Sequence, residues 1–170
     1  MNKKKRTVRR CGVIKSHDDL WPLLKKSGLT FLEGGSRDQY LIPYGGAGTK
    51  LPPIHVMVKY GKDEKAIYIA SSGIDLLARE VSGSFSQESI TKLHWMLATN
   101  FRVIAGHYGV SQADGEVRVS TTIALGKGSR VSFDQLKRCI NNVAVCAQAY
   151  LTRKSTQDWS HFPAESTTGS

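Results

Sequence analysis

Apolar side chains recur along this chain first at helical spacing, then in alternation, then helical again, and the changes of period mark its elements. Leu20, Leu23 and Leu24 repeat by three and four. Asp18 and Asp19 precede them, where the helix dipole favours carboxylates, and Gly28 ends the pattern. A short helix is predicted over residues 17–27, where Pro22 is tolerable only within the first turn. Three strands follow. Gln39–Tyr44 turns Tyr40 and Ile42 to one side and Leu41 to the other, with Pro43 marking a sheet edge or an end. Residues 54–60 set Ile54, Val56, Val58 and Tyr60 against His55, Met57 and Lys59. Residues 65–70 alternate Ile67 and Ile69 with Ala66, Tyr68 and Ala70. The short polar link Gly61-Lys62-Asp63-Glu64 reads as a hairpin turn.

Helical spacing returns after residues 82–86. Ser84 and Gln87 stand at capping-box distance, and Ile90, Leu93, Met96 and Leu97 form the expected apolar face of a helix ending near Asn100. A hairpin is predicted next. Its first arm is Phe101–Val110, interrupted by Gly106 and Gly109. Its turn holds Asp114-Gly115, and its return arm places Val117, Val119, Thr121, Ile123 and Leu125 on one face. The last helix opens on Ser132 with Gln135 three residues on. It then carries Phe133, Leu136, Ile140, Val143, Ala147, Tyr150 and Leu151 as one wide stripe. Strand runs joined by short turns imply an antiparallel sheet, and the helices must cover its apolar face. The expected class is therefore α+β, an antiparallel sheet with flanking helices in the order α–β–β–β–α–β–β–α.

Charge adds a boundary that periodicity does not show. The chain of 170 residues carries a formal +10, yet residues 1–16 hold seven basic side chains and no acid. The rest is nearly balanced. The division expected is a basic arm over residues 1–15, one domain over 16–153, and a polar Ser/Thr-rich tail over 154–170 in which Trp159 and Phe162 alone could dock. The arm reads as a solvated terminus. A secretory or twin-arginine signal needs an apolar segment that Cys11-Gly12-Val13-Ile14 is too short to supply. Lys3-Lys4-Lys5-Arg6 would suit a nuclear signal in a eukaryote. No apolar run approaches the ~20 residues of a membrane span. Three widely spaced cysteines, Cys11, Cys139 and Cys146, make no disulfide framework and point to a reducing cytoplasm.

Chemical motifs are weak throughout. Gly45–Lys50 and residues 125–129 resemble phosphate loops but break the Walker spacing, because Thr49 separates Gly48 from Lys50 and Gly128 follows Lys127. They read as flexible turns. His17, His55, His94, His107 and His161 include no helical metal pair. His17-Asp18-Asp19 reads as helix capping, and Cys139 and Cys146 as small buried hydrophobes. No cofactor, metal or catalytic group is expected.

The stretch Leu93-His94-Trp95-Met96-Leu97-Ala98-Thr99-Asn100, followed by Ala105-Gly106-His107-Tyr108-Gly109-Val110, the Asp114-Gly115 turn, the strand ending at Ala124-Leu125 and the helix opened by Ser132, resembles the type III secretion chaperone-like fold. That fold includes the secretion chaperones and the YbjN family. The first half of the chain matches in element order only. The resemblance implies a homodimer without catalysis that holds an extended client segment against apolar patches and strand edges. The side chains it would use are Leu20, Leu23, Leu24, Tyr40, Ile42, Leu93 and Met96. Secretion chaperones are usually acidic, and the basic arm departs from that. It motivates a second reading, a nucleic-acid-associated protein that binds phosphates weakly and without sequence preference through Lys3, Lys4, Lys5, Arg6, Arg9 and Arg10.

Overall fold

A computed structural model describes residues 12–33, 39–46, 48–79, 83–100, 102, 106–126 and 130–159. The alternation read from the sequence is what builds the sheet. Strands β3 (Gln39–Tyr44), β4 (Ile54–Gly61) and β5 (Ala66–Ser71) pair antiparallel in chain order, and β5 pairs with β8 (Glu116–Ala124). Short edge pieces complete it: β2 (Leu32–Glu33) on β3, with β6 (Asp75–Leu76) and β7 (His107–Val110) on β8. Val117 pairs with both Asp75 and Val110, so β6 continues the β5 side of β8 and β7 holds the other side. A separate ribbon joins β1 (Gly12–Val13) to β9 (Arg130–Val131).

The inward rows of this sheet meet two of three helices. Ile54, Val56, Val58, Ile67, Ile69, Val117 and Val119 are buried against α3 (Phe133–Thr156), whose Leu136, Ile140, Val143, Ala144 and Ala147 face them. Helix α1 (Leu20–Lys26), entered through a single 3-10 turn at His17–Asp19, packs beside α3 with Leu20, Leu23 and Leu24 in the core. The fold is thus the α+β architecture expected, with an antiparallel sheet, flanking helices and the anticipated order of its longer elements.

Local chemistry explains the boundaries. Ser132 caps α3, its Oγ accepting from the Gln135 N–H at 3.0 Å. Asp19 Oδ2 accepts from the Lys15 and Ser16 N–H groups at 2.8 and 3.0 Å, which fixes the entry to α1. Gly115 closes the β7–β8 hairpin at φ 75°, where an added Cβ would lie 2.9 Å from the Leu77 carbonyl oxygen. Helix α2 (Gln87–Asn100) starts one residue after Ser86, whose Oγ accepts from the Ser89 N–H at 3.3 Å. Ser86, not Ser84, is therefore the residue at the cap.

Three other expectations change. Gly12 and Val13, assigned to the arm, form β1, and Ile14 joins the core. Within Phe101–Val110 only His107–Val110 is strand among the described residues. Helix α3 runs to Thr156, past the expected domain end at 153.

The end of α2 is tied to the sheet by one side chain. Asn100 Nδ2 donates to the Tyr108 carbonyl at 3.0 Å, and the Tyr108 N–H donates to Asn100 Oδ1 at 2.8 Å. The amide thus stands where a further strand would pair with β7. Replacing Asn100 by Ala leaves both backbone groups of a buried residue unpaired and is expected to cost about 2 kcal/mol in urea unfolding, with m unchanged.

Candidate interaction surfaces

Helix α2 lies against the rest of the molecule with an unexpected face. Its buried residues are Ser89, Lys92, Trp95, Met96 and Thr99. Ile90 and Leu93 are half-buried, and Leu97 is 57% exposed. The apolar stripe read from the sequence is thus turned outward by about one residue, roughly 100° of helix. The inward face buries Trp95 and Met96, and beside them Lys92 meets a buried carboxylate. Asp75, on β6, has a side chain only 5% exposed, and Lys92 Nζ reaches it at 3.3 Å while pairing with Glu88 at 2.8 Å. Tyr150 Oη also donates to Asp75 Oδ2 at 2.8 Å, and Lys154 Nζ donates to Oδ1. One carboxylate therefore joins β6, α2 and α3.

The titration of these groups follows from that geometry. Burial pushes the Asp75 carboxyl up, but donors from Lys154, Tyr150 and the Leu76 N–H, with the charge of Lys92, outweigh it and hold the group below the usual carboxylate range. Burial pushes Lys92 down, yet Glu88 and Asp75 together raise it above an ordinary lysine. The Tyr150 phenol is raised by burial and by the adjacent carboxylate. Every group favours the charged pair with a neutral phenol, which is a structural assembly and not an acid–base couple.

Above this network sits an aromatic cluster. Trp95 meets Tyr108 at 5.3 Å and Tyr150 at 6.0 Å between ring centroids. Trp159, beyond the end of α3, packs against Trp95 at 5.6 Å and Tyr150 at 5.1 Å. Lys92 Nζ lies 5.9 Å from the Trp159 ring, and the Arg153 guanidinium lies 5.5 Å from that of Trp95.

The sheet face turned away from α3 carries apolar side chains of its own. Leu32, Leu41, Met57 and Ala70 occupy paired positions on four successive strands and form one apolar row across it. Leu32 is 56% exposed, and the other three are half-buried. The neighbouring row is Gln39, Lys59, Tyr68 and Thr122. His55, His107 and Arg118 are exposed on the same face, with Arg118 paired to Glu116. At the sheet edge, β2 pairs only with Tyr40 and Leu41, so Ile42–Tyr44 has no strand on its outer side among the described residues.

An open groove of about 570 Å³ runs between Leu51 and the outer side of α3, lined by Val145, Gln148, Ala149, Thr152 and Arg153. Gly45 lets the adjoining loop lie against α3: its φ is 69°, and a Cβ there would lie 2.4 Å from the Pro52 carbonyl oxygen and 2.9 Å from Gln148 Nε2. The Gly45–Lys50 loop is a packing device at that point.

No cluster of three or more His, Cys, Asp or Glu able to hold a metal occurs among the described residues. Burial pushes the Cys146 thiol up to about 11 and raises Cys139, which disfavours the reactive thiolate. His17 stacks on Tyr40 at 4.3 Å, while His55, His94 and His107 are exposed.

The seven side chains expected at an interface are redistributed. Leu20, Leu23, Leu24, Tyr40, Ile42 and Met96 are buried within the chain's own core. Each fills the space between helix and sheet, so none is free to meet a client. Leu93 alone retains exposed surface, beside Leu97. Leu32 and Leu97 are more than half exposed and Met57 is half-buried, and none of the three was among the expected interface residues. The basic residues Lys3, Lys4, Lys5, Arg6, Arg9 and Arg10 lie outside the described residues.

No family model matches the chain, and none of the curated proteins matches it. Two solved structures are similar to it. A chain of the HopA1–SchA chaperone–effector complex aligns at 12% identity and TM-score 0.45, over 77% of this chain and 88% of that one. A chain of the ExsC–ExsE complex aligns at 14% identity and TM-score 0.44, over 82% of this chain and 96% of that one. No helix among the described residues is long and apolar enough to cross a membrane.

Proposed function

We propose that this protein is a non-catalytic, type III secretion chaperone-like or adaptor module that works as a homodimer and holds a segment of another protein. The observation that carries the reading is the outward turn of α2. A helix that buries Lys92 and presents Ile90, Leu93 and Leu97 has its apolar stripe available for something outside the chain. A second copy is the simplest partner, because one helix face repeated about a two-fold axis is self-complementary. The client would lie on the sheet face turned away from α3, along the Leu32–Leu41–Met57–Ala70 row and beside the bare edge of β3. The free, half-buried thiols of Cys139 and Cys146 suit a reducing cytoplasm.

The concentration of seven basic residues in positions 1–16 favours a second reading, phosphate binding by the arm. Retention of lysate components by the full chain, by a chain lacking residues 1–11, which keeps β1 and Ile14, and by Met57→Asp separates the two. Proteins retained without the arm at about 0.5–1 M salt, where the Debye length is a few Å, and lost with Met57→Asp support the client surface. If all retention disappears with the arm or with salt, the phosphate reading replaces it.

A further inference from the structure

The tail supplies a half-buried residue, Trp159, that packs against the core from beyond the end of α3. Gln157, in the left-handed conformation at φ 55°, turns the chain after α3, and Arg153 Nη1 donates to the Asp158 carbonyl oxygen at 3.0 Å. Those two features lay Trp159 between Trp95, Tyr150 and Lys92. The remaining walls are held without it, since Trp95 and Tyr108 pack on Tyr150, whose hydroxyl is bonded to Asp75. The indole N–H of Trp159 is buried with no hydrogen-bond partner among the described residues. A buried donor left unpaired weakens the seat of the ring that carries it.

We propose that the box formed by Trp95, Tyr150, Lys92 and Arg153 is a binding site for an aromatic side chain next to a carboxylate, and that Asp158–Trp159 occupies it as an internal stand-in. The tail's own composition identifies the ligand class. Residues 155–170 contain Asp158 and Glu165 and no lysine or arginine, in a chain of formal charge +10. The rim of the box sets three cations against two carboxylates: Lys92 pairs with Asp75 and Glu88, Lys154 pairs with Asp75, and Arg153 lies over the Trp95 ring, so the balance is positive. Rings between cations and aromatic walls take an electron-rich ring, and the basic rim favours an acidic neighbour. An acidic client segment bearing Trp, Tyr or Phe would displace the tail, so the tail raises the threshold for binding. The client's role rests on the protein-binding reading above, whereas exchange of the tail itself needs neither client nor dimer.

The test uses a fluorescein-labelled peptide of residues 155–166 as the probe, with the full chain, a chain ending at Gln157, and full-length Trp159→Ala. The shortened chain keeps α3 whole. It and Trp159→Ala are expected to bind the peptide at least about tenfold more tightly than the full chain, because their box is empty. The peptide with Trp159→Ala should lose at least about tenfold in affinity, and the peptide with Asp158→Lys should also bind more weakly. Both protein variants should melt within about 5 °C of the full chain. Equal affinity for all three chains overturns the proposal, as does a fall in Tm beyond about 10 °C in both variants, which would make Trp159 a core residue. Peptide exchange without any retained client protein would uphold the box and defeat the client reading alone.

Discussion

Replacing Asp75 by Asn is expected to lower the unfolding free energy by about 3 kcal/mol, or roughly 10 °C in Tm. The figure stands at the low end for breaking a buried ion pair because Glu88 still reaches Lys92 from the surface. Most of the loss comes from leaving Lys92, whose side chain is 8% exposed, with only the exposed Glu88 as countercharge. Lys92→Met in the Asp75→Asn background should therefore recover about 1–2 kcal/mol. If the loss came from the Tyr150 hydrogen bond instead, the double variant would be no better than the single one.

The same pair sets a pH dependence with a definite sign. The folded carboxyl of Asp75 lies below its ordinary value of 3.8, so its contribution is present above that value and is lost as pH falls through the lower folded value. Lys92 lies above 10.5, so its contribution is present below that pH and is lost as pH rises through the higher folded value. The stability difference between the wild-type chain and Asp75→Asn should be constant across neutral pH and shrink below about pH 4. Urea unfolding at pH 7 and pH 3 measures it.

Leu97→Asp is the second large effect, and it should appear in association alone. Leu97 is more than half exposed in the single chain, so a polar replacement should change its stability by no more than about 0.5 kcal/mol. In a dimer built on α2 the same residue meets its symmetry mate, and two carboxylates then face each other across a dry seam. Self-association should weaken by at least about a hundredfold, which is ~3 kcal/mol. Leu93→Asp should act in the same direction. Val145→Asp, on the outer side of α3, is the control and should leave association unchanged. A Leu97→Asp chain that stays dimeric would move the interface elsewhere.

The parts of this molecule that were legible in its sequence are those governed by local period. Alternation in Ile54–Gly61 and Ala66–Ser71 fixes which side chains face α3, because a strand's period of two admits only two registers. The stripe of α3 and its Ser132 cap are equally local. Helix α2 shows what periodicity cannot decide. Its apolar face reads as Ile90, Leu93, Met96 and Leu97, but a stripe records only that some apolar surface must be covered and is silent on whose. The face it buries includes Trp95, Met96 and Lys92, and Asp75, seventeen positions before Lys92, supplies that lysine a buried countercharge with no local signature. The expected interface leucines of α1 went to the core for a related reason, since the sheet needed them. The two-residue strands β1, β2, β6 and β9 are too short for any period to register, and Trp159 finds its partners only through the fold.

Light scattering on the wild-type chain at micromolar concentration tests the central claim most directly. The account predicts twice the chain mass of 18.7 kDa, falling to a single chain mass with Leu97→Asp. A wild-type mass of 18.7 kDa at that concentration would contradict it.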